Sequence, residues 1–472
     1  MKLRIRAPKM HARFAPIAWS ERRSRLYVKS LAVRNLRCFK QAALEMQYPG
    51  KQQSPAPNLP NINLLLGNNG MGKTTILRAL ALASLSPIMP QSGYLPYRLV
   101  RRADPKVSLA KEATIEADVI LHEQDFPSGK TKGSSSKIVR EEQMSMTVIR
   151  SGDYEGLRSG NVPASGIPDE EGVWGGMYND KSPAFLVVGY GASRRVEDSR
   201  NLDESARRKA RLLRYERVAG LFESHVALTP LAVWLPNFQK KNPGRYKQTV
   251  NLINRLLPEG ASFEGQFQEG DYFFEVNGTK TPFAALSDGY RAYIGWIADL
   301  LYHICMGAPK GAKLVDNYGL VLVDEIDLHL HPEWQRSVAE TLSRALPNIQ
   351  FVFSTHSPIV AGSLNKENIF VMESDSMGAS TVRQYDERIY GLSAEKVLLS
   401  SYFKLRTTSA APFVDELRDL SVKAGKGDLN AALAFMEKIS GESISAAPPA
   451  QDGTKASKRT KKSGSRKSRS RK

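Results

Sequence analysis

The chain has 472 residues, 41% hydrophobic and 24% charged, with a formal net charge of +19. This is ordinary globular composition, enough for one large domain or two to three modest ones. No apolar stretch approaches the roughly 18–20 residues that span a bilayer, no secretory leader pattern opens the chain, and its two cysteines, Cys38 and Cys305, exclude a disulfide framework or a Cys-type zinc site and suit the reducing cytoplasm.

Residues 1–25 are a basic extension, eight Lys or Arg against Glu21 alone. Alternating strands are expected at 26–33 and 42–46, with a Pro/Gln/Asn-rich loop at 48–60. The apolar run Ile62–Leu66 then leads into Gly67-Asn68-Asn69-Gly70-Met71-Gly72-Lys73-Thr74, the phosphate-loop pattern G-x-x-x-x-G-K-[ST] between a strand and a helix. Each residue type has a physical job there. Gly67, Gly70 and Gly72 let the backbone turn its N–H groups toward an anion. Lys73 sets an ammonium against the β- and γ-phosphates, and the Thr74 hydroxyl can ligate Mg²⁺. The helix from about Lys73 to Leu85 adds its positive end.

Further along, a strand is expected at 113–121 and a flexible loop at 127–137, while 151–183 is Gly/Pro-rich without a periodic pattern. A buried strand at 185–190 is followed by Gly189-Tyr190-Gly191-Ala192-Ser193-Arg194-Arg195. Its two arginines read either as a phosphate-facing or base-contacting group or as a solvated helix start. Residues 203–222 read as a charged helix. Residues 245–257 read as an amphipathic helix with Val250, Ile253, Leu256 and Leu257 on one side.

From Leu286 the pattern alternates helix and strand, as in an α/β sheet. Leu320–Val323 is a continuous apolar run of the kind buried on both faces of a parallel sheet. Asp324 and Glu325 follow it directly, at the strand end where open α/β sheets bind ligands. Asp324 suits a Mg²⁺ shell, and Glu325 suits a base that polarises an attacking water. Residues 349–357 repeat the device, a strand ending in Ser354-Thr355-His356-Ser357, where His356 can hydrogen-bond a γ-phosphate or the water. Two closing helices are expected at 412–420 and 428–439. Residues 446–472 are a Lys/Arg/Ser tail expected to be disordered, with ten basic residues and no acid in 455–472. The two basic ends either hold nucleic acid phosphates or simply solubilise the chain; only +2 of the charge belongs to residues 26–454.

These motifs resemble the ATP-binding-cassette class of P-loop ATPases. The phosphate loop is similar to their Walker A, Leu320–Asp324 to Walker B, Glu325 to the catalytic glutamate and His356 to the switch histidine. Leu286-Ser287-Asp288-Gly289 is similar to the start of the signature L-S-G-G-Q, with Asp288 replacing a Gly and Tyr290 replacing the Gln. Within the class the chain resembles the RecF-like and SMC-like branch and the ATPases of OLD, Septu and PARIS antiphage systems. The carriers are Val33–Phe39, similar to the entry strand N-F-R-x-F, and Asp324–Pro332, similar to D-E-x-x-x-x-L-H-P.

The resemblance implies an α/β fold. It would be an ABC-ATPase head with a mixed or parallel sheet flanked by helices, split into 26–90 and 284–405 around an inserted lobe at 91–283 and followed by C-terminal helices at 406–445. It implies a nucleotide-binding set of Arg37, Gly67, Asn68, Asn69, Gly70, Met71, Gly72, Lys73, Thr74 and Thr75, completed by Ser287 and Gly289 of a second copy, with Mg²⁺ on Thr74 and Asp324. ATP would be gripped in a homodimer or higher homo-oligomer. The glutamine that transporter cassettes carry near the site has only Gln143 and Gln124 as candidates. His329 and His331 read either as a metal pair or as a subunit-facing loop before Pro332.

The expected function is an ATPase switch on nucleic acid or a partner effector, in antiphage defence. The alternatives are a RecF-like repair ATPase and a transporter subunit. No HNH-like cluster or TOPRIM acid pattern is present, so a nuclease is expected in a separate chain.

Overall fold

The computed structural model describes residues 26–102, 109–121, 140–162, 174–178, 186–196, 213–308 and 312–440. The chain divides into two compact units, Met1–Arg406 and Thr407–Lys472.

The first unit contains sixteen described strands. They are β1 (Tyr27–Leu36), β2 (Phe39–Glu45), β3 (Ile62–Gly67), β4 (Glu112–Leu121), β5 (Arg140–Ser151), β6 (Tyr154–Ser159), β7 (Val187–Tyr190), β8 (Arg195–Val196) and β9 (Ala227–Leu228), then β10 (Ala261–Gln268), β11 (Asp271–Val276), β12 (Thr279–Pro282), β13 (Gly319–Val323), β14 (Ile349–Thr355), β15 (Ile369–Ser374) and β16 (Ser380–Arg383). Its longer helices are α1 (Lys73–Ser84), α2 (Leu231–Lys241), α3 (Pro243–Leu256), α4 (Asp288–Gly307) and α5 (Pro332–Ala345), with short α6 (Pro358–Gly362) and α7 (Ala394–Leu399).

Eleven strands form one mixed sheet in the order β6-β5-β4-β1-β2-β16-β15-β3-β14-β13-β7. From β15 to β7 the neighbours run parallel. From β6 to β2 they run antiparallel. In the parallel half both faces are covered. Val321 and Val323 enter one apolar cluster, with residues of α3, α4 and α5. Leu320 and Leu322 enter the other, with α1. Continuous apolar runs are the expected result of burial on both sides.

Buried amides join the halves. Gln350 of β14 accepts from Val28 N at 2.8 Å and donates to Val28 O at 2.8 Å and Gln47 O at 2.9 Å. Asn63 of β3 accepts from Gln47 N at 2.7 Å and donates to Gln47 O at 2.8 Å and Phe351 O at 3.1 Å. Most buried polar groups in folded proteins are paired in this way.

Several expectations shift on contact with the structure. The strands expected at 26–33 and 42–46 are longer and form one hairpin, β1–β2, turning at Arg37-Cys38. Residues 151–183, read as patternless, contain β6, which pairs with β5 along one side only. Of the charged helix expected at 203–222, residues 203–212 lie outside the described residues. Only Leu213–Glu216 is α-helical, and Arg214 is buried there rather than solvated. The amphipathic helix at 245–257 is α3, which starts earlier because Asn242 caps it, accepting from Arg245 N at 3.1 Å ahead of Pro243. The basic extension at 1–25, the loop at 127–137 and the tail at 446–472 lie outside the described residues.

The second unit contains a helical hairpin, α8 (Ala411–Gly425) and α9 (Leu429–Ser440), where 412–420 and 428–439 were expected. Gly427, at φ 94°, makes the turn, and Asp428 caps α9 by accepting from Asn430 N and Ala431 N at 3.0 and 3.1 Å. No helix among the described residues is long and apolar enough to cross a membrane.

Candidate functional site

Parallel strands deliver all their C-terminal ends to one edge of a sheet, and in this chain those ends carry the polar groups. After β3 the chain enters the phosphate loop. After β13 it presents Asp324 and Glu325, and after β14 His356. A cleft of about 250 Å³ opens there, lined by Arg37, Cys38, Asn69, Gly70, Gly72, Lys73, Thr74, Thr75, Asp324, Glu325 and His356.

The loop keeps its shape by backbone constraints. Gly67, Gly70 and Gly72 all have φ in the left-handed region, at 148°, 80° and 96°. At Gly72 a side chain is excluded twice over, because a Cβ would sit 2.4 Å from the Phe39 ring and 2.6 Å from Cys38 Sγ. Gly72 is the N-cap of α1 and offers no side chain to its first N–H groups, which leaves that helix end open to an anion.

Lys73 Nζ donates to Gly67 O at 2.7 Å and to Asn68 O at 3.3 Å, and lies 2.7 Å from His356 Nε2. Burial lowers the Lys73 pKa, opposed by the carboxylates of Asp324, Glu325 and Asp327. Burial and the neighbouring Lys73 lower the His356 pKa, so its imidazole is neutral at pH 7 and Nε2 accepts from the ammonium.

Thr74 Oγ1 donates to Asp324 Oδ2 at 2.7 Å. The other oxygen of Asp324 accepts from Ser354 Oγ. A hydroxyl and a carboxylate facing one cleft are hard oxygen donors, the set that Mg²⁺ takes alongside phosphate and water; the residues present fit that ion. Asp327 is held by the Thr355 hydroxyl, and Thr355 Oγ1 also accepts from Ser357 N at 2.9 Å.

Glu325 has a left-handed backbone, φ 50°. Its N–H donates to Ser354 Oγ at 2.8 Å, and its carbonyl accepts from Arg194 Nη2 at 2.8 Å.

Of the other residues expected at the site, Gly67 and Asn68 contribute their carbonyls to Lys73, and Met71 packs against the apolar cluster around α1. Ser287 and Gly289 do not line this cleft. Ser287 is exposed at the N-cap of the twenty-residue α4 and makes no side-chain capping bond. Gln143 lies in β5 opposite Asp118, also away from the cleft; Gln124 is outside the described residues. His331 caps α5, accepting from Glu333 N at 3.5 Å, and no group of three or more His, Cys, Asp or Glu that could hold a metal occurs among the described residues. Cys38 also lines the cleft. Arg194, offered as a phosphate-facing group, points instead at the backbone of Asp324 and Glu325, whereas Arg195 is exposed.

Two family models match the chain. Residues 30–152 match one described as "AAA domain", and residues 163–361 match one described as "AAA domain, putative AbiEii toxin, Type IV TA system". The chain therefore carries P-loop ATPase domains of the AAA type. It is homologous to the Septu protein PtuA of Bacillus mycoides (strain KBAB4), at 24% identity over 394 residues, 83% of this chain and 46% of that protein. It is also homologous to the Retron Vc95 probable ATPase of Vibrio cholerae serotype O1 biovar El Tor, at 38% identity over 96 residues, 20% of this chain and 19% of that protein. The chain thus spans less than half the length of these relatives. Among solved structures, the Smc head domain of Pyrococcus furiosus bound to the C-terminal domain of ScpA overlaps 76% of this chain and 96% of its own, at 13% identity and a TM-score of 0.45.

Proposed function

We propose that the chain binds ATP with Mg²⁺, hydrolyses it at the junction of two copies, and uses the cycle as a switch on nucleic acid or on a separate effector such as a nuclease, in cytoplasmic defence against phage. The observation that carries this reading is the meeting of Lys73, Thr74, Asp324, Glu325 and His356 in one cleft at the ends of three adjacent parallel strands. The likeness to Septu and retron proteins supports the biological setting.

The residue roles follow from the chemistry. The open amides of the loop and of α1 take the phosphate oxygens, and the Lys73 ammonium exchanges its carbonyl partners for the β- and γ-phosphates. Thr74 and Asp324 would hold Mg²⁺, which draws negative charge from the phosphate oxygens. Glu325 takes the proton of the attacking water, giving ADP and inorganic phosphate. Once Lys73 turns from His356 to the phosphates, the freed imidazole, in the tautomer that carries its proton on Nε2, donates to the γ-phosphate. Ser287 and Gly289 of a second copy close the cleft. An exposed serine on an uncapped helix N-terminus, outside its own chain's cleft, suits that role.

The test is the mass of the Glu325→Gln protein with and without ATP and Mg²⁺. Binding without turnover should trap a larger assembly. A mass unmoved by nucleotide would remove the two-copy reading.

A further inference from the structure

Arg194 lies outside the nucleotide cleft, yet its side chain holds the turn that carries Glu325. Nη1 donates to Asp324 O at 2.6 Å and Nη2 to Glu325 O at 2.8 Å. Along a regular strand successive carbonyls point to opposite sides. Here two consecutive carbonyls converge on one guanidinium because the chain leaves β13 through the left-handed Glu325. That conformation is unfavourable for a residue with a Cβ, so something must hold it.

The opposite edge of the turn is fixed by β14. Glu325 N donates to Ser354 Oγ at 2.8 Å and Ile326 N to Ser354 O at 2.9 Å. The peptide units around Glu325 are thus clamped by their amides on one side and by their carbonyls on the other; Glu325 O also accepts from Leu328 N at 3.0 Å, and Arg194 is the side chain that ties the two carbonyls together. Burial lowers the Arg194 pKa to about 10, so it stays charged at neutral pH, helped by the carboxylates of Asp324, Asp327 and Glu325.

Arg194 also borders a second cleft of about 630 Å³, shared with Leu231, Phe273, Phe283, Asp288 and His329 beside the N-terminus of α4. Truncating its side chain would open the vacated space toward this cleft.

We propose that Arg194 is a positioning residue for hydrolysis: its forked guanidinium sets the backbone from which the Glu325 carboxylate addresses the water. This rests on the ATPase reading above. A lysine has one point-like ammonium and cannot span two carbonyls as the planar fork does.

The test compares Arg194→Ala and Arg194→Lys with the unaltered chain in ATP turnover and in nucleotide affinity. Misplacing a catalytic group costs on the order of 100-fold, so kcat should fall to that extent in both variants. The Kd for ATP should stay within about threefold, the pattern of a contact that matters to the transition state alone. Millimolar guanidinium should restore part of the turnover of Arg194→Ala and none to Glu325→Gln, a rescue that a fold-wide defect would not show. Unchanged kcat, full recovery by lysine, or affinity lost in step with turnover would each overturn the assignment.

Hydrogen exchange of the nucleotide-free protein supplies a readout independent of hydrolysis. The amides of Glu325 and Ile326 should exchange faster in both variants, and exchange equal to the unaltered chain would refute the clamp. If the unaltered chain turns over no ATP, the ATPase reading fails while the exchange result still decides the clamp. If Arg194→Ala does not fold, Arg194→Lys carries both measurements.

Discussion

The two halves of the long sheet divide the work. In the antiparallel half, β1 buries Leu31 and Val33 and exposes Arg34, and the half delivers only its hairpin turn, Arg37-Cys38, to the cleft. In the parallel half, β3, β14 and β13 each end in a group that faces the same cleft. The difference lies in strand direction. Parallel strands gather their C-terminal ends on one edge, while antiparallel neighbours alternate their ends. The proposed catalytic set therefore belongs to the parallel half, and the antiparallel half acts as a wall that fixes the loop through Phe39 and Cys38 against Gly72.

The largest effects should come from the parallel half. Lys73→Ala removes the cation nearest the phosphates and should abolish detectable ATP binding by calorimetry. Arg37→Ala, the contribution of the other half, should weaken binding by about tenfold, the scale of one charge-assisted contact. Equal losses in the two variants would dissolve the distinction between the halves. Ser287→Arg should stop turnover while leaving nucleotide binding and the melting temperature of the single chain in place, because Ser287 is exposed and lies outside its own cleft. Normal turnover in that variant would confine the chemistry to one copy.

Much of the site was legible because each element carried a local signal. The apolar runs Ile62–Leu66 and Leu320–Val323, each followed by polar residues, marked buried parallel strands and what lay at their ends. The phosphate-loop spacing marked the cradle. What escaped were side chains whose partners are remote in sequence. Gln350 and Asn63 look like polar interruptions of strands, and only the fold shows them bonded to backbone around Val28 and Gln47. The role of Arg194 escaped because its partners, the carbonyls of Asp324 and Glu325, lie 130 and 131 residues away. The left-handed backbone at Glu325 has no sequence signature, since glutamate is not a residue that favours it.

A smaller effect tests the wall. Gly70 and Gly72 share a left-handed φ, but a Cβ at Gly70 meets nothing within 4 Å, whereas at Gly72 it meets Phe39 and Cys38. Alanine at either position carries the conformational cost. Gly72→Ala adds overpacking, worth about 1–3 kcal/mol. Urea unfolding should show Gly72→Ala less stable than Gly70→Ala by that margin. Equal midpoints would mean the hairpin yields and does not brace the loop.

The smallest effect concerns the junction between β3 and β14, where Lys73 meets His356. Burial and Lys73 hold the His356 pKa below its ordinary value, about 6.5, so the unfolded chain takes up the proton more readily than the folded one. The stability this group contributes is thus fully present above pH 6.5 and is lost as the pH falls below it. Melting temperature measured from pH 7.5 to 5.5 should fall less steeply in His356→Gln than in the unaltered chain. Parallel curves would mean that neither burial nor Lys73 perturbs the imidazole. Adding ATP and Mg²⁺ to the Glu325→Gln protein should flatten the slope as well, because a phosphate beside the imidazole favours its charged form and opposes the lysine.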